Sequence, residues 1–263
     1  MPGSVEDSIE LRSHCAALVI PPHHIAVDRT AAWIHGIDTH AWGEHDSVVP
    51  VEFSALRGHR RSERNGIDGH VRDLATRDLM MVRDLRVTTP LRTALDLGCH
   101  LRKREAIAAL VEFARLHDIT PESMARELPR FRGRRGVVQL RSLIQFVDSR
   151  LESPRESWTW LELIEAGIPL PEIQFWVEED GVQLFRLDFA WPRRRVALEY
   201  DGRDFHRLTA DQIDQDRERR AWLRDHGWTI VVVGLGDFSA PSRERWVAEL
   251  RQALRPAYTT RRW

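Results

Sequence analysis

Two carboxylates within residues 184–206 have a spacing that could do chemistry. Hydrophobic side chains alternate along this segment, which predicts two antiparallel strands, and Pro192 predicts a four-residue turn over 192–195 between them. A turn at that place puts Asp188 directly opposite Glu199, where opposed Cβ atoms lie about 4.5–5.5 Å apart. Two carboxylates at that distance repel each other unless a cation or a shared proton lies between them. A purely structural hairpin gains nothing from such a pair, so the pattern indicates a metal site.

The two carboxylates also have a structural explanation that needs no metal. The same register places Arg186 opposite Asp201, and the predicted helix that follows the hairpin carries Arg220. Arg186 and Arg220 could neutralise Asp188 and Glu199 within an ordinary hairpin. The residues alone leave both explanations open.

Residues at the end of the second strand and beyond it could also be either functional or structural. Asp201 precedes a glycine, and such pairs are common where a strand ends in a turn, so Asp201 could be structural or could contribute to the site. His206 could act as a general base or be an ordinary surface histidine. Asp216, Arg219 and Arg220 have the spacing at which ion pairs form along a helix surface, so these arginines could simply face solvent.

The segment around these residues has the element order of an α/β domain. Ser153 and Pro154 mark the start of a helix that continues to Ala166, and the continuous apolar run over 228–233 is typical of a strand buried on both faces. The remaining patterns predict strands at about 173–177, 184–191 and 196–201 and helices over 210–225 and 242–254. The predicted order is α-β-β-β-α-β-α over residues 151–256.

A smaller α+β domain is predicted for residues 1–148. The polar segment 148–154, which ends in a proline, marks the boundary. We expect the first domain to open with a helix that continues to about Ile20 with Ser4 as its N-cap, and to continue with a short helix that Asp28 caps. Strand-like runs are then predicted within 47–88, and helices within 91–146.

Composition and charge describe an ordinary globular protein of about two domains. The chain has 263 residues, 42% of them hydrophobic and 30% charged, with a net charge of −1, so binding to nucleic acid or a membrane would have to come from local patches. Cys15 and Cys99 fit no disulfide or metal pattern, which is typical of a reducing compartment. No apolar run reaches the about 20 residues of a membrane helix, and the acidic N-terminal residues do not resemble a signal peptide. We therefore expect a cytoplasmic protein that does not bind membranes.

Nearly all the basic residues are arginines, and Lys103 is the only lysine. Two arginine-rich segments could contact phosphates or could be solvated loops. They consist of Arg57, His59, Arg60, Arg61 and Arg64 in the first half, and of Arg130, Arg132, Arg134 and Arg135 shortly before the predicted boundary.

The second half resembles the PD-(D/E)XK nuclease fold, which is the restriction-endonuclease-like core. The closer likeness is to the branch related to the very short patch repair endonuclease, whose uncharacterised bacterial members have an aspartate followed by E-x-D-G and a nearby histidine. In this sequence those positions are Asp188, Glu199, Asp201, Gly202 and His206. The upstream Glu156 and the phrases AGIPLPEIQ and DRERRAWLRDHGWTIVVV are also similar to that family.

This resemblance implies a DNA endonuclease or nickase that hydrolyses phosphodiester bonds with Mg²⁺ or Mn²⁺. The implied metal ligands are Asp188, Glu199 and Glu156. Many enzymes of the fold have a lysine two residues after the glutamate, whereas this chain has Asp201 there. The implied catalytic set is therefore Asp188 and Glu199 with Asp201, and His206 as a general base.

Three arginines complete the site that the resemblance implies. Arg186, Arg219 and Arg220 are the expected contacts to DNA, where their charges would also offset the charge that develops in the transition state.

The first half resembles the region that precedes this nuclease-like domain in many actinobacterial proteins. Those proteins are similar to AbiEi-type antitoxins of type IV toxin–antitoxin systems, and the likeness rests on DRTAAWIHGI over 28–37 and VTTPLRTALDL over 87–97. Too few residues precede Asp28 to build the winged helix with which such relatives usually begin, so we expect an antitoxin-like region without a full winged helix. The implied alternative function is a non-catalytic DNA-binding or regulatory protein with a degenerate nuclease fold. Its partners would be DNA and a protein of a toxin–antitoxin or defence system.

Overall fold

The computed structural model describes residues 8–21, 23–39, 50–61, 63, 65–82, 85–202 and 210–256. The chain divides into two units, which we call the N-unit, Met1–Ser149, and the C-unit, Arg150–Trp263. Each unit combines helices with a mixed sheet of its own, so the α/β class predicted from the sequence is confirmed. No helix in the described part of the chain is long and apolar enough to cross a membrane.

The N-unit contains a five-stranded sheet with the order β3-β2-β1-β5-β4. Its strands are β1 (His24–Ala26), β2 (Val51–Leu56), β3 (Ile67–Arg72), β4 (Leu79–Val82) and β5 (Leu85–Thr88). The pairs β1–β2 and β4–β5 are antiparallel, and the pairs β2–β3 and β1–β5 are parallel. The sequence patterns predict the four later strands but not β1, because three buried residues in a row show no alternation.

Six helices of the N-unit lie in the described residues. They are α1 (Ile9–Val19), α2 (Asp28–Ile34), α3 (Pro90–His100), α4 (Lys103–His117), α5 (Pro121–Glu127) and α6 (Val137–Ile144). The Ser8 side chain caps α1 by accepting the Leu11 N–H, and Ser4, the predicted cap, lies outside the described residues. Asp28 does not cap α2 as predicted, because its carboxylate pairs with Arg72 instead.

The C-unit has the order α-β-β-β-α-β-α that the sequence predicts. Its elements are α7 (Pro154–Glu165), β6 (Glu172–Glu179), β7 (Val182–Trp191), β8 (Val196–Asp201), α8 (Ala210–Asp225), β9 (Thr229–Gly234) and α9 (Ala240–Ala253). The sheet order is β6-β7-β8-β9, with antiparallel pairs except for the parallel pair β8–β9.

The β7–β8 hairpin has the predicted turn and register. A short 3-10 turn over Pro192–Arg194 connects the strands, and Phe189 lies opposite Leu198. Alternate side chains therefore point to opposite faces of the sheet. Phe189 is fully buried and its ring lies against Trp160 of α7, whereas Leu187 is fully buried in a cluster with Ala190 and Ala197.

Helix α8 packs on the face of the sheet that carries the charged residues. Its Leu223 is fully buried in one hydrophobic cluster with Ala190 of β7 and Ala197 of β8. Helix α7 contributes Trp160, whose ring stacks near that of Phe189. The hydrophobic contact of Leu223 thus fixes where the arginines of α8 can reach.

Candidate functional site

Asp188 lies at the point where the β7–β8 backbone pairing stops. Beyond the Phe189–Leu198 pair, the Asp188 carboxylate accepts the backbone N–H of Tyr200 at 2.9 Å. Burial, with smaller contributions from the charges of Glu156 and Glu199, raises the pKa of this carboxyl to about 6, against the lowering effects of the Tyr200 N–H and Arg219. The hairpin therefore brings the predicted carboxylates together.

Glu199 is buried and is held by a guanidinium from α8. Arg219 Nη1 donates to Glu199 Oε2 at 3.1 Å, and Arg219 Nη2 donates to Glu199 Oε1. Arg219 Nη2 also donates to the backbone carbonyl of Arg186 at 3.1 Å. Both oxygens of Glu199 are thus engaged by one side chain of the chain itself.

Asp201, which stands where many relatives of the predicted fold have lysine, is also buried and paired. Arg220 Nη2 donates to Asp201 Oδ2 at 3.0 Å and lies 3.6 Å from the carboxylate of Asp216. Arg220 Nε is buried without a hydrogen-bond partner among the described residues.

Glu156 reaches the same region from the first turn of α7. Its Oε2 accepts the Glu152 N–H at 3.0 Å and the Gln174 side-chain amide at 2.9 Å, while Ser153 caps the helix as predicted. Gln174 Oε1 is buried and has no hydrogen-bond partner within the described part of the chain. We call Glu156, Asp188, Glu199 and Asp201 the carboxylate cluster.

The predicted cross-strand partner of Arg186 was wrong. Arg186 forms a bidentate pair with Glu152, at 2.8 and 2.7 Å, rather than facing Asp201. The strands no longer pair at that position, so the side chain is free to turn towards the chain that precedes α7. The ion-paired alternative also named Arg186 and Arg220 as the neutralising residues, whereas Arg219 is the residue that holds Glu199.

The carboxylate cluster does not have the arrangement of a ready divalent-metal site. Within the described residues, no group of three or more His, Cys, Asp or Glu side chains could hold a metal ion. The oxygens of Glu199 face a guanidinium, and those named above on Asp188 and Glu156 accept N–H groups. His206, the predicted general base, lies outside the described residues.

The N-unit contains a second cluster of buried charges, which was not among the predicted sites. Asp28 is bound by Arg72, through Oδ1 at 2.9 Å and also through Oδ2, and His100 Nδ1 lies 3.4 Å from it. These partners lower the pKa of Asp28 to about 2, against the effect of burial, which is the largest single influence and raises it. Arg72 also donates to Asp96 at 3.2 Å.

The ion pairs continue from Asp96 through the interior of the N-unit. Arg92, whose side chain is only 3% exposed, donates to Asp96 at 2.8 Å and to Asp78 at 2.9 Å. Arg130 binds both oxygens of Asp78, at 2.8 and 2.6 Å, and also pairs with Glu127. The ion chain, as we call it, thus comprises Asp28, Arg72, Asp96, Arg92, Asp78, Arg130 and Glu127, together with Arg134 on Asp96.

The ion chain shows which arginines of the second arginine-rich segment are structural. Arg130 and Arg134 of the second arginine-rich segment are structural, since Arg134 also lies over the ring of Phe131 at 4.7 Å. Arg132 and Arg135 of the same segment are exposed. The two types of arginine alternate along the segment, so composition alone could not separate them.

A cleft of about 530 Å³ opens beside the Asp28 end of the ion chain. Glu52 of β2 lies in this cleft, and its carboxylate accepts the Arg29 N–H at 2.6 Å. Burial, together with the nearby charge of Asp28, raises the pKa of Glu52 to about 7. Arg72, His70 and His100 also line the cleft.

The sequence contains a signal for the ion chain that could have been used. Helix α3 carries Arg92 and Asp96 four residues apart, a spacing at which side chains of opposite charge meet on a helix. Both residues are buried with the apolar residues of α3 rather than on an exposed face. Opposite charges on the hydrophobic side of a predicted helix thus indicate a buried ion pair.

Comparison with known proteins gives two kinds of match. A family model described as the AbiEi antitoxin C-terminal domain matches residues 24–146, a range that includes the whole ion chain. Two curated proteins of Mycobacterium tuberculosis, uncharacterized protein MT2308 of strain CDC 1551 / Oshkosh and uncharacterized protein Rv2248 of strain ATCC 25618 / H37Rv, are each 34% identical over 215 residues. Each alignment covers 82% of this chain and 76% of the relative. No solved structure matches.

Proposed function

This chain belongs to one family with the two Mycobacterium tuberculosis proteins and contains an AbiEi antitoxin C-terminal domain, and from this premise we propose that it is a DNA-binding regulatory protein of a toxin–antitoxin system. The match over residues 24–146 is the observation that carries the proposal. The protein partner in such a system is the toxin whose action the antitoxin opposes. In this proposal the C-unit keeps a nuclease-like element order as a non-catalytic module.

The ion pairs of the C-unit support a role that needs no metal. Arg219 engages both oxygens of Glu199, and Arg220 pairs with Asp201. The arginines expected from the resemblance to contact DNA are therefore occupied by carboxylates of the chain itself.

The N-unit offers a more accessible basic surface for DNA, in the connection that follows β2. Arg57, Arg60 and Arg61 are exposed there, near His59. Arg57 lies 3.5 Å from Asp73 and Arg61 lies 4.0 Å from Glu63, and all four of these side chains are at least 64% exposed. Such exposed pairs contribute little, so a DNA phosphate can replace the carboxylate partner.

DNA binding is best measured by fluorescence anisotropy in EDTA over a series of salt concentrations. We expect the wild-type protein to bind duplex DNA from upstream of its own gene with a strong salt dependence. The triple variant Arg57→Ser, Arg60→Ser, Arg61→Ser should lower the slope of log K against log salt concentration by about 2–3, since each phosphate contact adds about 0.9.

The matched control removes exposed arginines from the other unit. Arg193 and Arg194 lie in the β7–β8 turn and are exposed, so Arg193→Ser with Arg194→Ser should leave the slope unchanged. An absence of DNA binding by the wild type in EDTA would contradict the proposal. Equal slopes for the triple variant and the wild type would reject the proposed surface.

A second candidate function is a DNA endonuclease or nickase that depends on Mg²⁺ or Mn²⁺. The specific observation in its favour is that Glu156 and Glu199 lie near enough to Asp188 for their charges to raise its pKa. Incubation of the protein with supercoiled plasmid and either metal tests it. Cleavage that is lost in Asp188→Ala with Glu199→Ala would favour the nuclease, whereas cleavage that survives would point to a contaminant.

A further inference from the structure

We infer that Arg219 is a built-in cation that replaces a divalent metal ion in the carboxylate cluster. This inference rests on the proposed non-catalytic role of the C-unit and gives that role a physical cause. It predicts that the cluster binds a divalent cation only after the guanidinium has been removed.

The contacts of Arg219 resemble those of a bound ligand more than those of a surface side chain. Its two terminal nitrogens bind both oxygens of Glu199 and the carbonyl of Arg186, so a single guanidinium is shared among three acceptor oxygens on two strands. Carboxylate and carbonyl oxygens are the ligands that Mg²⁺ and Mn²⁺ prefer. The guanidinium therefore occupies oxygens that a metal would need.

The position of Arg219 is fixed by the packing of α8. Arg219 and Leu223 are four residues apart and lie on the same side of the helix. Leu223 is fully buried against Ala190 and Ala197, which anchors this side of α8 on the sheet. The hydrophobic contact of Leu223, one helical turn away, thus positions the guanidinium beside Glu199.

The charges of the cluster also favour an internal cation. Asp188, Glu199 and Glu156 are close enough that the last two raise the pKa of the first. Arg219 acts on Asp188 in the opposite direction. Arg220 is committed to Asp201, so Arg219 supplies the charge that compensates the remaining carboxylates.

A metal would have to displace a strong interaction. Bidentate guanidinium–carboxylate pairs are about twice as strong as hydrogen bonds between neutral groups, and this pair is largely buried, with 23% of the Arg219 side chain and 9% of the Glu199 side chain exposed. A divalent cation must also give up its own water ligands to enter. Its binding to the wild-type cluster is therefore weakened.

The test is calorimetric titration of Mn²⁺ into the full-length protein and its variants. The wild type should show no saturable site that depends on Glu199. Arg219→Met removes the charge and keeps a similar length, and it should bind one Mn²⁺ at least tenfold more tightly than the wild type. Adding Glu199→Gln to that variant should abolish the gained binding.

Arg217→Met is the matched control for the arginine substitution. Arg217 lies on the same helix, is 77% exposed and pairs only peripherally with Asp214 at 3.3 Å. This variant should bind Mn²⁺ no better than the wild type. Circular dichroism confirms that each variant is folded, and Arg219→Gln replaces Arg219→Met if the latter is not.

Two results would overturn the inference. One is a saturable Mn²⁺ site in the wild type that Glu199→Gln removes, because the cluster would then be a working metal site. The other is a folded Arg219→Met or Arg219→Gln variant that gains no Mn²⁺ affinity. Neither result bears on DNA binding by the N-unit, which is measured in EDTA and so tests the proposed function separately.

Discussion

Both units bury carboxylates against arginines, but they arrange the pairs differently. In the N-unit, Asp78 and Asp96 are each shared by two or more arginines, so the pairs form one continuous chain. In the C-unit, Arg219 and Arg220 bind separate carboxylates, Glu199 and Asp201, from one helix. A shared carboxylate couples its arginines energetically, whereas separate pairs can be gained or lost one at a time.

The ion chain and the carboxylate cluster also differ in how their charges are balanced. The arginines of the ion chain come from β3, α3 and the segment after α5, so the chain connects elements that are distant in sequence. Four arginines there face four carboxylates, and the charges balance without a ligand. The carboxylate cluster depends on two neighbouring residues of α8, and a single substitution changes its charge.

The largest effect is expected where the ion chain is most deeply buried. Arg92→Met should lower the free energy of unfolding by about 3–5 kcal/mol, because it leaves Asp78 and Asp96 buried with one partner fewer. Urea unfolding followed by circular dichroism measures the loss. Arg102→Met, at the exposed N-cap of α4, is the control and should change stability by less than about 0.5 kcal/mol. A loss for Arg92→Met no larger than for the control would mean that the chain does not stabilise the N-unit.

The sequence predicts the C-unit better than the N-unit for a physical reason. In the C-unit the turn at Pro192 fixes the hairpin register, so Asp188 and Glu199 could be brought together from local information. The element order follows from local patterns in the same way. The arginine that neutralises Glu199 could not be predicted, because it depends on how Leu223 seats α8 on the sheet.

The N-unit was predicted as a set of elements but not as a site. Its ion chain runs from Asp28 to Arg134, and the spacing of Arg92 and Asp96 on α3 indicates only one of its pairs locally. Strand β1 was missed and Asp28 was interpreted as a helix cap, although its carboxylate begins the ion chain. Tertiary contacts override the capping preference of an aspartate when an arginine from β3 is within reach.

Glu52 gives a prediction beside the Asp28 end of the ion chain, where it adds a carboxylate that is not a member of the chain. Its folded-state pKa is about 7, against 4.5 without the surrounding protein, so the folded protein binds a proton that the unfolded chain releases between these values. Stability that is present below about pH 4.5 is therefore lost as the pH rises to about 7. Glu52→Gln should remove this loss and raise the free energy of unfolding at pH 8 by about 3 kcal/mol.

The control for Glu52 is an exposed glutamate of the same unit. Glu63→Gln, with a side chain that is 80% exposed, should show the pH dependence of the wild type. Thermal unfolding at pH 5 and pH 8 distinguishes the variants. If Glu52→Gln is equally stabilising at both pH values, the effect does not come from the titration of Glu52.

Double-mutant cycles measure most directly whether the arginines of each unit are energetically coupled. The expected coupling energies are the smallest of the predicted effects. Arg72→Met and Arg92→Met remove two arginines that bind the same oxygen of Asp96, at 3.2 and 2.8 Å, so their effects should differ from additivity by about 1–2 kcal/mol. Arg219→Met and Arg220→Met remove arginines from different carboxylates, so their effects should add to within about 0.5 kcal/mol. Urea unfolding of the four single and two double variants gives both coupling energies. Equal coupling energies in the two cycles would show that the carboxylate cluster behaves as one network. Loss of Arg219 would then change the interactions of the whole cluster rather than open one site for a cation.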